Sequence, residues 1–207
     1  MMNEVIKVEV VSKEDLEEIV ELHCKIFRNY FLKNLGFELV KKYYQAYDDD
    51  KGTIFLKASY NNEIVGFVLT TSNYSNIIKN FYKDNFYLLS KKIVIETLKM
   101  NKTIFLGLKS RVMNVFKKSK EENVEEEENC LLSIAIDDNF RGKKIADVLI
   151  NKVEMQLKEN QVKAYSLSVK KDNTGAKKFY EKIGFEKIGG KGELEYYTKK
   201  LNFRKEE

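Results

Sequence analysis

Between residues 130 and 169 the hydrophobic period of the chain changes twice, and this restricts the fold more than any other feature. Residues 130–136 (CLLSIAI) are a short run of small and aliphatic residues, the pattern of a buried strand. Residues 142–159 then repeat apolar side chains at helical spacing, with Lys143, Lys144, Asp147, Asn151, Glu154 and Lys158 on the side expected to be wet. Residues 164–169 return to a strand pattern. A strand–helix–strand succession belongs to an α/β fold built around one mixed sheet.

The remaining segments extend this pattern. Residues 5–11 alternate as a first strand, and Ser12 followed by Asp15 predicts a capping box. The helix that follows carries Leu16, Ile19, Val20, His23 and Phe27 on one face. A second helix after Gly36 carries Leu39, Val40, Tyr43, Tyr44 and Tyr47. Two strands at 53–60 and 63–71 flank Asn61 and Asn62, residues that tolerate the positive φ of a tight hairpin turn. Residues 75–118 predict two helices, one around Ile78, Phe81, Tyr82 and Leu89, the other around Phe105, Leu108, Val112 and Phe116. The acidic run 119–129 reads as a solvated connector. Asn173 is placed to cap a helix that stops at Gly184, and a last hairpin turns across residues 189–192. The expectation is a single domain over residues 1–207, with 75–129 as a helical insertion plus acidic connector.

Composition narrows the class of ligand. The 207 residues are 43% hydrophobic and include 13 Phe and 12 Tyr, enough to build a core. The net charge of +5 is spread along helical segments, and the four arginines (Arg28, Arg111, Arg141, Arg204) form no cluster, so no nucleic-acid partner is expected. Cys24 and Cys130 form no CxxC pattern, and His23 is the one histidine, so neither a disulfide framework nor a metal centre is expected. No apolar run approaches the ~18 residues of a membrane span, and the start of the chain lacks a secretory pattern. The compartment expected is the cytoplasm.

The chemistry concentrates in two short blocks. In Arg141-Gly142-Lys143-Lys144-Ile145-Ala146 a helix begins beside small and cationic residues. The first N–H groups of a helix have no internal acceptor and lie at the positive end of its dipole, so a phosphate can be held there. The same residues also suit an ordinary helix start. The second block runs from Asn173 through Ala176, Phe179 and Tyr180 to Gly184 and Phe185. Its tyrosine is a possible proton donor beside a ligand, or an aromatic packed under the final hairpin.

Taken together, Arg141-x-x-Lys144-x-Ala146 and Asn173-x-x-Ala176-x-x-Phe179-Tyr180-x-x-x-Gly184-Phe185 resemble the acyl-coenzyme A site of the GNAT superfamily of N-acetyltransferases. Lys144 stands where the family pattern has glycine. The resemblance implies a mixed, mostly antiparallel sheet with splayed central strands, helices on both faces and the helical insertion between the third and fourth strands. It implies acetyl-coenzyme A as cosubstrate, without a metal. The backbone of Ile134, Ala135 and Ile136 would pair with the pantetheine arm. Arg141, Gly142, Lys143, Lys144, Ile145 and Ala146 would cradle the pyrophosphate, with Asn173, Ala176 and Phe179 beside the arm. Tyr180 falls at the family's general acid. Some protein N-terminal acetyltransferases carry a glutamate five residues before the asparagine; here that position is Ser168, and the base candidates are Glu128, which also reads as part of the acidic connector, and His23, which also reads as a packed core histidine.

The acceptor implied is a primary amine of a small molecule. The aromatic run at residues 22–36 resembles segments of GNAT proteins associated with cell-envelope polysaccharides, which brings in an amino sugar. A protein α-amine or lysine is the alternative acceptor, and a non-catalytic acyl-coenzyme A binding module the alternative function. The protein is expected as a monomer or homodimer.

Overall fold

Alternating side chains and short turns draw seven segments of the chain into one sheet. In the computed structural model, which describes residues 6–28, 30, 32–98 and 129–203, these are β1 (Lys7–Val10), β2 (Thr53–Tyr60), β3 (Glu63–Thr71), β4 (Cys130–Ile136), β5 (Ala164–Lys170), β6 (Glu186–Lys191) and β7 (Leu194–Lys200). Their order across the sheet is β1-β2-β3-β4-β5-β7-β6, with β4 and β5 parallel and the other neighbours antiparallel. Asn61 and Asn62 turn the β2–β3 hairpin at φ of 49° and 66°, the conformation their side chains tolerate. The sheet is mixed and mostly antiparallel, as the sequence reading expects.

The chain divides into two compact units. One holds Met1–Val10, Gly52–Ser72 and Val124–Glu207; the other holds Val11–Lys51 and Asn73–Asn123. The sheet and two further helices, α5 (Ile145–Glu159) and α6 (Thr174–Lys182), belong to the first unit. Leu149, Ile150, Val153 and Leu157 line the buried stripe of α5, in one core cluster with Leu56, Val68, Tyr165 and Leu167. Each such side chain contributes about 1.5–3 kcal/mol on full burial.

The second unit holds α1 (Leu16–Ile26), α2 (Phe37–Gln45), α3 (Tyr74–Asp84) and α4 (Phe86–Leu98). The Ser12 N–H donates to the Asp15 carboxylate at 2.7 Å, the reciprocal arm of the expected capping box. The tyrosines of α2 fill the interior: Tyr43 lies edge-on to Tyr44, Tyr47 and Phe81, with centroids 5.2 to 5.8 Å apart. Burial pushes the Tyr47 phenol far above its ordinary pKa.

Several boundaries differ from the sequence reading. The helix expected around Ile78 and Leu89 is two helices, broken at Asn85 (φ −106°, ψ 17°), whose side chain donates to the Phe81 carbonyl at 2.9 Å. Asn competes with the helix for its own backbone acceptors, which is why the break falls there. The helix expected around Phe105 and the acidic connector, apart from Asn129, lie outside the described residues. Helix α5 begins at Ile145 rather than Gly142, because Lys144 is left-handed (φ 59°, ψ 19°) and cannot extend the helix backwards. Glu154, expected in water, has a side chain only 12% exposed; it accepts from Tyr165 Oη at 2.7 Å and pairs with Lys199. Strand β6 runs on through Gly189 and Gly190, and the hairpin turns at Gly192 and Glu193. Among the described residues no helix is long and apolar enough to cross a membrane.

Candidate active site

The parallel pair at the centre of the sheet comes apart soon after it forms. Strands β4 and β5 are matched only at Cys130 with Ser166 and Leu131 with Leu167. Beyond that point β4 stays paired with β3 as far as Ile136, and β5 stays paired with β7 as far as Lys170. The two strands therefore form a fork, closed at Leu131–Leu167, whose inner edges lack a partner strand.

A bulge decides which backbone groups face the fork. Leu69 pairs with Ser133 and Thr70 with Leu131, so Leu132 is an extra residue on β4. Past the bulge, the Asp137 N–H bonds the Val65 carbonyl of β3 at 2.8 Å. A strand residue aims its N–H and C=O to the same side, and the side alternates along the chain. Ala135 therefore faces β3 with Asp137, and Ile134 and Ile136 present their N–H and C=O groups to the fork. Of the three residues expected beside a pantetheine arm, Ile134 and Ile136 turn their backbone groups to the fork and Ala135 turns its own to β3.

The loop after β4 is held by local bonds. Asp137 Oδ1 accepts the Asn139 N–H at 3.0 Å and its carbonyl accepts the Phe140 N–H at 2.9 Å. Gly142 (φ 80°) and Lys144 (φ 59°) then swing the chain into α5. Among the described residues no acceptor meets the N–H groups of Lys144, Ile145 or Ala146. They sit at the positive end of a fifteen-residue helix, the arrangement that suits a phosphate. Arg141 is exposed and pairs with Asp138 at 2.7 Å, a surface contact worth about 0–1 kcal/mol. Lys143 stacks its ammonium 4.8 Å from the Phe140 ring centroid and 5.5 Å from that of Tyr60. The sequence reading missed Tyr60, since nothing local links a hairpin residue to a loop eighty positions later.

Helix α6 is capped as expected, with Asn173 Oδ1 accepting the Ala176 N–H at 3.1 Å. The Lys187 ammonium, then that of Lys177 on α6, holds the buried Glu195 carboxyl of β7 below its ordinary pKa and ties the helix to the hairpin. Tyr180 is 7% exposed, with its ring centroid 5.5 Å from those of Phe179 and Phe185. It belongs to the same core cluster as Ile145, with Ile134, Ile136, Ala176 and Phe179 packed at the margin. Three segments, at 134–136, at 145 and at 176–180, thus meet in one cluster.

Of the two base candidates, one is described. Glu128 lies outside the described residues. His23 is in the helical unit, 3% exposed, with Nδ1 2.7 Å from Tyr44 Oη and its ring against Phe27 and Tyr44. Its Nε2 is buried without a hydrogen-bond partner. Burial lowers its pKa from 6.5 to about 4, so at neutral pH the imidazole is uncharged. Among the described residues no group of three or more His, Cys, Asp or Glu side chains could hold a metal ion.

Solved structures share the fold: the PaiA N-acetyltransferase of Thermoplasma acidophilum, in complex with coenzyme A, matches at 16% identity over 95% of this chain and 99% of its own, with a TM-score of 0.59. A GNAT family acetyltransferase of Staphylococcus aureus Mu50 matches at 17% identity over 96% and 100%, with a TM-score of 0.57. The ribosomal-protein-S18-alanine N-acetyltransferase of Escherichia coli matches at 11% identity over 98% and 97%, also at 0.57. No curated protein matches the sequence. The family model for the acetyltransferase (GNAT) family matches residues 16–185, which is most of the sequence and includes the fork, the α5 loop and Tyr180. The chain belongs to the GNAT family of acetyltransferases.

Proposed function

We propose that this protein transfers the acetyl group of acetyl-coenzyme A to the primary amine of a small molecule, an amino sugar being the favoured class, and that residues 1–207 act as one acetyltransferase domain. The observation that carries the reading is the fork between β4 and β5, where Ile134 and Ile136 offer an unpaired strand edge. An extended pantetheine arm can add to such an edge as a strand would. The free N–H groups of Lys144, Ile145 and Ala146 and the cationic side chains of Lys143 and Lys144 suit the pyrophosphate. Arg141 joins them by exchanging Asp138 for a phosphate oxygen. Ala176 and Phe179 border the arm from α6.

The reaction needs one proton delivered and one removed. The neutral amine attacks the thioester carbonyl carbon, a C–N bond forms, and the C–S bond then breaks. Tyr180 gives its phenolic proton to the departing thiolate, because a phenol holds its proton at neutral pH. The proton lost from the acetylated nitrogen returns to the tyrosine through solvent. Incubation with acetyl-coenzyme A and a panel of amines, with free thiol as readout, tests the reading. Amine-dependent thiol release is expected; its absence for every amine, despite coenzyme A binding, would reduce the protein to an acyl-coenzyme A binder.

A further inference from the structure

The face of the sheet turned away from α5 and α6 carries a row of hydroxyls that begins where the fork closes. On β5, Tyr165, Leu167 and Val169 enter the core with α5, so Ser166, Ser168 and Lys170 point to the other face. On β7, Tyr197 enters the same core and Lys199 reaches Glu154 of α5, so Tyr196 and Thr198 share the face of the serines. The register sets Ser168 opposite Tyr196 and Ser166 opposite Thr198. Opposed same-face residues have Cβ atoms about 4.5–5.5 Å apart. Cys130 completes the second row, with Sγ 3.4 Å from Ser166 Oγ.

Ser168 follows Leu167, the last residue of β5 matched with β4, and so stands at the closed end of the fork. It is exposed and Tyr196 is half-buried. Among the described residues neither hydroxyl has a hydrogen-bond partner. A hydroxyl both donates and accepts, so two of them on opposed residues of one face suit a ligand whose own groups do both.

We infer that Ser168 and Tyr196 bind the acceptor, and that the acceptor is a primary amine carrying hydroxyl groups near the amine. This rests on the acetyl-transfer reading and specifies its substrate class. The pair sets acceptor specificity and takes no part in the proton transfers.

Steady-state kinetics with two probes, glucosamine and n-butylamine, test the assignment. Ser168→Ala and Tyr196→Phe are each expected to raise KM for glucosamine about 3- to 10-fold, the worth of one neutral hydrogen bond. KM for acetyl-coenzyme A and kcat stay within twofold, n-butylamine loses less than twofold in kcat/KM, and Ser168→Thr restores the glucosamine KM. Unchanged glucosamine KM in both variants overturns the assignment, as does an equal loss on both amines. Wild-type protein that binds coenzyme A and acetylates only n-butylamine overturns the substrate class. Wild-type protein that releases no thiol with any amine removes the acetyl-transfer reading itself, a separate result.

Discussion

Gly66 and Ile136 face each other across β3 and β4 so closely that a Cβ on the glycine would lie 2.7 Å from Ile136 Cδ1. The same Cβ would meet the Ala135 carbonyl oxygen at 3.1 Å and Ile145 Cγ2 at 3.4 Å. The glycine thus lets the fork edge and the first turn of α5 approach one strand together. Gly66→Val is expected to cost about 1–3 kcal/mol by overpacking, read as a lower urea midpoint at unchanged slope. Because Ile136 is also an edge residue, coenzyme A affinity should fall with stability. A variant as stable as wild type would show that Ile136 moves aside freely.

Lys144 pays for its position in backbone strain. At φ 59° and ψ 19° a side chain costs about 1–2 kcal/mol relative to the right-handed region, and glycine escapes that cost. Glycine also loses about 0.5–1 kcal/mol more chain entropy on folding. Lys144→Gly should therefore raise stability by up to ~1.5 kcal/mol, measured by urea denaturation. Any loss of coenzyme A affinity in that variant reports the ammonium, since the backbone N–H groups remain. A fall in stability would mean that Lys144 gains more from its side chain than its φ costs.

His23 makes the fold sensitive to acid. Its pKa falls from 6.5 to about 4 on folding, so the unfolded chain takes up the proton first as pH drops. The stability that depends on neutral His23 is fully present above pH 6.5 and is lost progressively down to about pH 4. A shift of this size corresponds to roughly 3 kcal/mol at the acid end. His23→Gln keeps a polar group toward Tyr44 and removes the titration. Between pH 6.5 and 4 its stability should change less steeply than that of wild type in matched denaturant titrations. Parallel curves for the two proteins would place the acid sensitivity elsewhere.

What the sequence reveals here is what local chemistry decides. The Asn173 cap and the two-asparagine turn are legible because each forms within three or four residues of itself. The loop at Arg141–Ala146 is legible as a motif, yet the left-handed Lys144 is not, because lysine carries no preference that announces it. Glu154 reads as a solvent residue on helical period alone. Its partners Tyr165 and Lys199 come from β5 and β7, and only the strand order β5-β7 brings both beneath α5. The Gly66–Ile136 approach is hidden for the same reason: seventy residues separate the pair, and the register that joins them belongs to the sheet. The acceptor face is the furthest from the sequence, since Ser168 and Tyr196 meet only through pairing.

Tyr180 is the residue on which the proposed chemistry turns, and its setting permits a clean test. The ring is packed against Phe179 and Phe185 and is 7% exposed, so truncation to alanine would damage the core as well as the reaction. Tyr180→Phe removes one oxygen and keeps the ring. Loss of a general acid costs about 10²- to 10⁴-fold in turnover. The variant should therefore bind coenzyme A with the wild-type Kd, keep its unfolding free energy in urea titrations to within ~1 kcal/mol, and lose turnover by that factor. A pH–rate profile adds an independent check: an alkaline limb is expected in wild type and should be absent from the variant if the phenol supplies the proton. Turnover within threefold of wild type, with the limb intact, would return Tyr180 to the core and pass the proton to solvent.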